Sequence, residues 1–523
     1  MPMVTVTIDN QRVEVPEGTP ILDAARQLGI AIPTLCHRDD LPPNASCFAC
    51  VVRLRGRSGM VPSCATVVEP GMIVECDVPE VAEARRTALE LLLSDHLGDC
   101  LAPCHLTCPA TMDIPRMIRH IARDQLQDAI RTVKETIALP AVLGRICPAP
   151  CEKACRRRGV DSPVAICLLK RHAADVDLAS PAPYQPSCKP PSGRQVAIVG
   201  TGPAGLAAAC YLLQEGHRCV LFDDHDQPGG MLRYGVPEAA LPRPVLDAEI
   251  GVIGRMGAEF QLGTRVGEQV PFETLRRDFH AVFVAVGEMS PEKERALGLA
   301  MSGRGLATER ATLQTPVAGV FAGGDAVHPL RLTVRANADG RSAAVAIHQY
   351  LSGQPVTGRS RPFSTHYGRL DAQELAAFAP ESGPRDRVTP ALPPAGFSRE
   401  EAAAEASRCL HCDCLKQEDC RLRDWSAKLG ADAARHRGTR RRFEKHAEHP
   451  DVVYEPGKCI DCGLCIQVAA RQGEPVGLTF SGRGFDVRVR APFRESIAAA
   501  LKTAGEACAA VCPTGAISMK EGK

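Results

Sequence analysis

The chain has 523 residues, 24 of them cysteine, with a formal net charge of +1 and 4% aromatic residues. That length divides into three or four domains; the near-zero charge gives no electrostatic argument for nucleic acid or an anionic membrane, and so few aromatics argue against a base-stacking or sugar-binding surface. No run of 18 apolar residues occurs, and the N-terminal "MPMVTVTIDNQRVEVPEG" enters period-two alternation directly, so membrane insertion is not expected and the expected compartment is the cytoplasm.

The first elements are "VTVTID" and "RVEVPEG", two alternating strands about an Asn-Gln turn, then "ILDAARQLG", a short helix. Cys36, Cys47, Cys50 and Cys64 follow as C-x10-C-x2-C-x13-C. Clumped thiols in a large leaderless chain are read as metal ligands, not a disulfide framework. Zinc and iron–sulfur clusters both accept four thiolates. Cys76 lies outside the pattern and is read as a buried hydrophobe.

His96, Cys100, Cys104 and Cys108 recur every four residues; if helical, that spacing keeps neighbouring ligands on one face. "ICPAPCEKAC" repeats the spacing at Cys147, Cys151 and Cys155. A Cys-Pro ending a cysteine run often marks a ligand that crosses to a neighbouring cluster, so two 4Fe-4S clusters sharing ligands are expected. Each then needs a fourth ligand. His96 is the candidate for one, against an ordinary surface or capping histidine; Cys167 is the candidate for the other, against a packed core thiol.

"PAPYQPSCKPP" (181–191) reads as a linker, and so does 355–394 with seven prolines. Between them, "QVAIV" is a strand, "GTGPAG" (Gly200, Gly202, Pro203, Ala204, Gly205) a phosphate-binding turn, and "AGLAAACYLLQEG" a helix. The pyrophosphate of a dinucleotide lies at that helix N-terminus, and Asp223 is placed to accept from ribose hydroxyls. The motif alone does not separate FAD from NAD.

Beyond 399, Cys409, Cys412, Cys414 and Cys420 (C-x2-C-x-C-x5-C) read as one compact four-thiol site for iron or zinc. Cys459, Cys462, Cys465 and, 46 residues on, Cys512 in "CPTGAI" read as a single 4Fe-4S site, with Cys508 a leftover ligand. "RHRGTRRRFEKH" (435–446) is a solvated basic helix face or a docking place for an acidic partner. No nucleophile–base pairing marks substrate chemistry of the chain's own, so no catalytic residue is assigned.

Three resemblances extend this reading. The N-terminal cysteine pattern resembles the 2Fe-2S domain of the large iron–sulfur subunit of respiratory complex I. The helical cysteine module resembles that of the glutamate synthase small subunit and dihydropyrimidine dehydrogenase, which implies one cluster on Cys100, Cys104 and Cys155 and another on Cys108, Cys147 and Cys151. "PGGMLRYGVPEAALPRPVLDAEI" and "VFAGGDAVHPLRLTVRANADGRSAAVAI" resemble the flavin-binding segments of the glutamate synthase small subunit. That resemblance implies FAD, with Gly229, Gly230, Arg233, Gly287, Gly324 and Asp325 beside it. In that family an NADPH domain separates the last two segments; here only residues 288–322 lie between Gly287 and Gly323, too few for a second dinucleotide domain.

The expected fold is multidomain α/β plus α+β: a 2Fe-2S ferredoxin β-grasp domain (1–77), a helical two-cluster domain (78–190), an FAD-binding Rossmann-like domain (191–355), a linker (356–398) and a C-terminal 4Fe-4S ferredoxin-like domain (399–523). The expected function is an electron-transfer subunit of a hydrogenase, formate dehydrogenase or NADH-linked complex. It would carry FAD, one 2Fe-2S and about four 4Fe-4S clusters, with a partner subunit supplying the nicotinamide or substrate site. The rivals are a self-sufficient NAD(P)H-dependent reductase, a flavin site kept only as a relic, and a zinc-binding assembly or scaffold protein.

Overall fold

The computed structural model describes residues 2–378, 385–393 and 395–520; residues 379–384 and 394 of the expected 356–398 linker lie outside the described residues. β1 (Met3–Ile8) and β2 (Gln11–Pro16) pair antiparallel, with Ile8 opposite Gln11. Their turn is Asp9–Asn10, one residue earlier than the Asn-Gln pair read from sequence, and both have positive φ (45° and 65°). A two-residue hairpin needs left-handed backbone at both positions, which Asp and Asn tolerate and Gln does not. α1 (Ile21–Gln27) buries Ile21, Leu22, Ala24 and Ala25 against a five-stranded sheet completed by β3 (Val51–Leu54), β4 (Met60–Pro62) and β5 (Ile73–Glu75), in the order β2-β1-β5-β3-β4. α2 (Pro79–Asp95) follows.

The chain divides differently from the expected four consecutive domains. One compact unit comprises residues 1–101, 362–381 and 412–523; a second comprises 102–361 and 382–411. The two units therefore alternate along the sequence, and described residues of the expected linker fall in both. In the first unit the helix Ala372–Phe378 brings Phe378 against Tyr367 and Phe443, whose rings pack with centroids 5.0–6.1 Å apart.

The second unit opens with short helices: α3 (Pro103–Thr107), α4 (Ile114–Ala122), α5 (Leu126–Lys134), α6 (Pro140–Ile146), α7 (Pro150–Lys153) and α8 (Ile166–Leu178). Residues 399–408 return to this unit through a buried polar network. The capping box of Ser398 and Glu401 starts the helix Arg399–Ala406. Glu405 accepts from Ala165 N (2.7 Å) and from Arg408 (2.8 Å), while Arg408 and Arg157 both grip Asp161 (3.0 and 2.7 Å). Arg408 and Glu405 are 1% and 0% exposed. Removing one member of such a network leaves buried charge unpaired, so Arg408→Ala should cost about 3–5 kcal/mol of stability, read by denaturant unfolding. A loss below 1 kcal/mol would show that the network does not hold the returning segment.

The α/β part of this unit is a parallel sheet. β6 (Gln195–Val199), β7 (Arg218–Phe222), β8 (Glu259–Gln261), β9 (Ala281–Val284) and β10 (Val320–Ala322) are ordered β10-β9-β6-β7-β8. α9 (Pro203–Gln214) runs from the end of β6 over this sheet. Between β9 and β10, where a second dinucleotide domain would insert, lie the helix Pro291–Leu297 and a hairpin pairing Met301 with Leu306.

The last part of the first unit pairs the strands Val452–Tyr454 and Ile517–Met519 antiparallel, with the helices Leu464–Arg471 and Gly505–Val511 between them in sequence. The basic run 435–446 is not a helix. Arg435 pairs with Glu90 (3.0 Å), Arg440 with Glu374 (2.6 Å) and Arg441 with Asp95, so these arginines are tied to carboxylates of the same unit.

Candidate iron–sulfur and dinucleotide sites

The N-terminal thiols converge. Cys36 follows α1, Cys47 and Cys50 precede and open the turn into β3, Cys64 follows β4, and all four are buried. The Cys36 and Cys47 sulfurs are 3.4 Å apart. Hydrogen bonds from Cys47 and Cys64 hold Cys36 far below the thiol range, and Cys64 likewise lowers Cys50 to about 6. The quartet thus shares its protons, and two of its thiols already favour the thiolate that a metal requires. Cys76 is a core residue at 4% exposure, as read.

His96 to Cys108 is not one helix. α2 stops at Asp95, His96 caps it, and Pro103 starts α3 after an irregular 96–102 stretch. The consequence is a regrouping. A small pocket is lined by His96, Gly98, Asp99, Cys100, Cys414, Lys416, Cys420 and Lys458. Cys414 N donates to Cys100 O (3.3 Å), and Thr365 Oγ1 lies 3.4 Å from Cys100 Sγ. Cys100 thus shares this pocket with Cys414 and Cys420. Of the compact four-thiol set read at 409–420, Cys409 packs against the core of the second unit, while Cys414 and Cys420 line this pocket in the first.

The donors here suit a metal centre. His96 is half-buried, but its Nδ1 is shielded from solvent with no hydrogen-bond partner among the described residues, and desolvation with the neighbouring Lys458 charge lowers its pKa to about 4, leaving the neutral imidazole that ligates metals. Two glycines give the cavity its room. A Cβ on Gly98 would come within 3.1 Å of Lys458 Cε, and one on Gly515 would meet Cys414 Sγ at 2.3 Å.

In the second unit, Cys147 is pushed above the thiol range by its hydrogen bond with Cys167; that bond lowers Cys167, but the hydrogen bond with Cys151 and burial raise it to about 11. Lys170, one turn on from Cys167, feels the charges of Cys167, Cys147, Cys108 and Cys151. The structure thus brings those four thiols together. Cys104, Cys155 and Cys409 pack against the same helical core. Cys412 falls in the first unit, three residues beyond Cys409.

At the C-terminus Cys459, Cys462, Cys465 and Cys512 lie within reach of one another's charge. Cys508 is a core thiol whose Sγ donates to Cys465 O (3.5 Å). This set sits between the other two of its unit. Cys462 feels Cys36 and its carbonyl accepts from Asn44 of the 42–48 loop (2.6 Å); Cys512 is felt by Cys420 and its carbonyl accepts from Lys416 (2.8 Å).

The dinucleotide turn has tight backbone at two glycines. A Cβ on Gly200 (φ +108°) would lie 2.3 Å from Ala285 O, and one on Gly205 1.9 Å from Gly200 O. A Cβ on Gly202 would meet nothing within 4 Å. Pro203 and Ala204 open α9, and Gly229 and Gly230 press on the turn, a Cβ on Gly230 falling 2.9 Å from Gly202 Cα. Asp223 Oδ2 accepts from Thr201 N and Oγ1 (2.7 and 2.6 Å), and Oδ1 from His225 N (3.0 Å). Burial would raise its pKa, but these bonds outweigh it and the carboxyl lies below its ordinary range. Asp223 thus fastens the turn to the end of β7. Arg233 donates to Pro228 O (2.7 Å) and pairs with Asp247, bracing the Gly229–Gly230 loop. Gly324 packs on Ala204, Gly287 has open space on its Cβ side, and Asp325 accepts from Arg331 N (3.0 Å). Sequence reading missed two residues here: Thr201, hidden as a variable position of the motif, and Gly340, whose missing side chain admits Ala204 O at 2.2 Å from where its Cβ would be.

Fold and site define the class: an iron–sulfur protein with a Rossmann-like dinucleotide-binding module. Family models match in three places: residues 1–78 to a 2Fe-2S iron–sulfur cluster binding domain, 94–181 to the 4Fe-4S domain II of dihydropyrimidine dehydrogenase, and 198–247 to an NAD(P)-binding Rossmann-like domain. Among curated proteins the chain is 42% identical over 190 residues to the NADPH-Fe(3+) oxidoreductase subunit beta of Geobacter sulfurreducens. It is 39% identical over 207 residues to the NADP(+)-dependent formate dehydrogenase subunit beta of Moorella thermoacetica, and 39% over 194 to the glutamate synthase [NADPH] small chain of Mycobacterium tuberculosis. Each match takes 36% of this chain and covers 28%, 29% and 39% of the respective relative. Among the described residues no helix is long and apolar enough to cross a membrane.

Proposed function

We propose that this chain is the electron-transfer subunit of an oxidoreductase complex, relaying electrons between a flavin in the second unit and iron–sulfur centres in both. The observation that carries the reading is the convergence of thiols, scattered from 36 to 512 in sequence, into separate buried or half-buried sets. The ligand sets we assign are Cys36, Cys47, Cys50 and Cys64 for 2Fe-2S. For 4Fe-4S they are His96, Cys100, Cys414 and Cys420; Cys108, Cys147, Cys151 and Cys167; and Cys459, Cys462, Cys465 and Cys512. Cys104, Cys155 and Cys409 supply thiols for a fourth 4Fe-4S centre. FAD and the clusters supply the redox couples. The protein supplies position: the glycine turn and α9 N-terminus hold the pyrophosphate, and in the first unit the C-terminal set stands between the 2Fe-2S set and the histidine-containing set.

The similarity to subunits of NADPH-, formate- and glutamate-linked oxidoreductases supports a partner that handles nicotinamide or substrate. So does the short 288–322 segment, which leaves this chain without a second dinucleotide fold. Metal and sulfide analysis of anaerobically purified protein tests the reading: about 18 irons with matching acid-labile sulfide are expected on the usual cluster stoichiometries. Stoichiometric zinc with no sulfide would instead establish the scaffold.

A further inference from the structure

Lys416 joins two of the thiol sets of the first unit. It falls between Cys414 and Cys420 in sequence and lines the same pocket as His96, Cys100, Cys414 and Cys420. Its stem and the Cys414 sulfur converge on one spot: a Cβ on Gly515 would lie 3.7 Å from Lys416 Cβ and 2.3 Å from Cys414 Sγ. From there the side chain reaches the C-terminal set, where Nζ donates to Cys512 O (2.8 Å) and Ala509 O (2.7 Å), with Asp419 Oδ2 at 3.4 Å. Three oxygens thus surround a group with three donors, and its place is fixed. The two charges of the Lys416–Asp419 pair are unequally shielded, because the lysine side chain is 8% exposed and the aspartate side chain 69%. Water screens the carboxylate far more than the ammonium, which leaves a net positive field toward the interior. Lys458, the other lysine of this pocket, differs: its partner Glu455 is buried with it and cancels its charge locally.

We infer that Lys416 is a positive charge shared by two centres, that of His96, Cys100, Cys414 and Cys420 and that of Cys459, Cys462, Cys465 and Cys512, and that it raises the reduction potential of both. The inference rests on the ligand sets proposed above. Adding an electron makes a cluster more negative, so a fixed cation at close range in a low-dielectric site favours the reduced form. Lys416 makes no bond to iron in this account. It acts through its charge, and it ties two neighbouring steps of the relay to one residue.

The test is potentiometric titration of the full-length protein, purified anaerobically and followed by electron paramagnetic resonance. Lys416→Met keeps the apolar stem and deletes the charge. It should retain the iron content and move two 4Fe-4S centres to lower potential, the one whose signal Cys414→Ser removes and the one whose signal Cys462→Ser removes, while the remaining centres stay put. Lys416→Arg should keep both at the wild-type potential. A downward shift in only one of the two, in neither, or in a different centre overturns the inference. If Lys416→Met lost either centre, Lys416→Arg decides: recovery of the iron and of both potentials supports the charge, and anything less assigns Lys416 to packing alone. Loss of one and the same signal in Cys414→Ser and Cys462→Ser, or of none, would instead sink the ligand sets on which the inference stands.

Discussion

Cys414→Ser and Cys100→Ser are each expected to remove one and the same 4Fe-4S signal, although residues 101–413 lie between the two positions. Cys409→Ser should remove a different one. Cys414 and Cys100 line one cavity with His96 and Cys420, and the backbone of Cys414 bonds that of Cys100. Cys409 is held in the other unit by the Arg408 network. Each serine variant should lower the iron content by about four atoms on ordinary cluster stoichiometry, and Cys47→Ser should abolish the 2Fe-2S signal alone. His96→Ala should either lose the same centre or shift its potential, because histidine ligation changes the potential relative to thiolate. If Cys414→Ser and Cys409→Ser removed the same signal while Cys100→Ser removed another, the compact 409–420 site would be restored and the cavity would be no centre at all.

The reasons the sequence was legible in some places and not in others are physical. The N-terminal quartet could be read because its ligands lie in loops of one small sheet, where short spacing and spatial proximity coincide. The dinucleotide turn could be read because strand, glycines and helix are contiguous, and the backbone there tolerates no Cβ at Gly200 or Gly205. Cysteine spacing records distance along the chain, and at 409–420 the chain passes from one unit to the other within four residues. What holds Arg408 on one side is a set of charges on Asp161 and Glu405, far away in sequence; nothing in the local pattern "RCLHCDC" announces it. The run from His96 to Cys108 misled for a related reason: an every-four-residue spacing suggests a helix, but Pro103 begins a new one, so Cys100 and Cys104 belong to different units. The basic run at 435–446 has helix-compatible residues, yet its arginines are taken up one by one by Glu90, Glu374 and Asp95 in an irregular path. Side-chain pairing decided the backbone there.

The second large effect concerns the flavin. The isolated chain is expected to bind FAD, to be reduced by dithionite, and to show negligible oxidation of NADPH or NADH. Hydride transfer needs the nicotinamide held at near-attack distance from the flavin, and such positioning is worth about 7–11 kcal/mol in well-oriented reactions. Here residues 288–322 form a seven-residue helix and a short hairpin, with no second strand–glycine turn–helix unit to hold it. A partner with its own nicotinamide site should restore reduction by NAD(P)H. The glycine turn supplies the matching binding test. Gly202→Val should expel FAD without unfolding the unit, since the space beyond its Cβ is open, and bulk there blocks the pyrophosphate. Gly205→Ala is the contrasting case: its Cβ would collide with Gly200 O at 1.9 Å, so it should lower stability as well as flavin content. Flavin-to-protein ratios and thermal melts of the two variants separate these outcomes. Full flavin occupancy in Gly202→Val would place the cofactor elsewhere, and rapid turnover of the lone chain with either nicotinamide would replace the relay by a self-sufficient reductase.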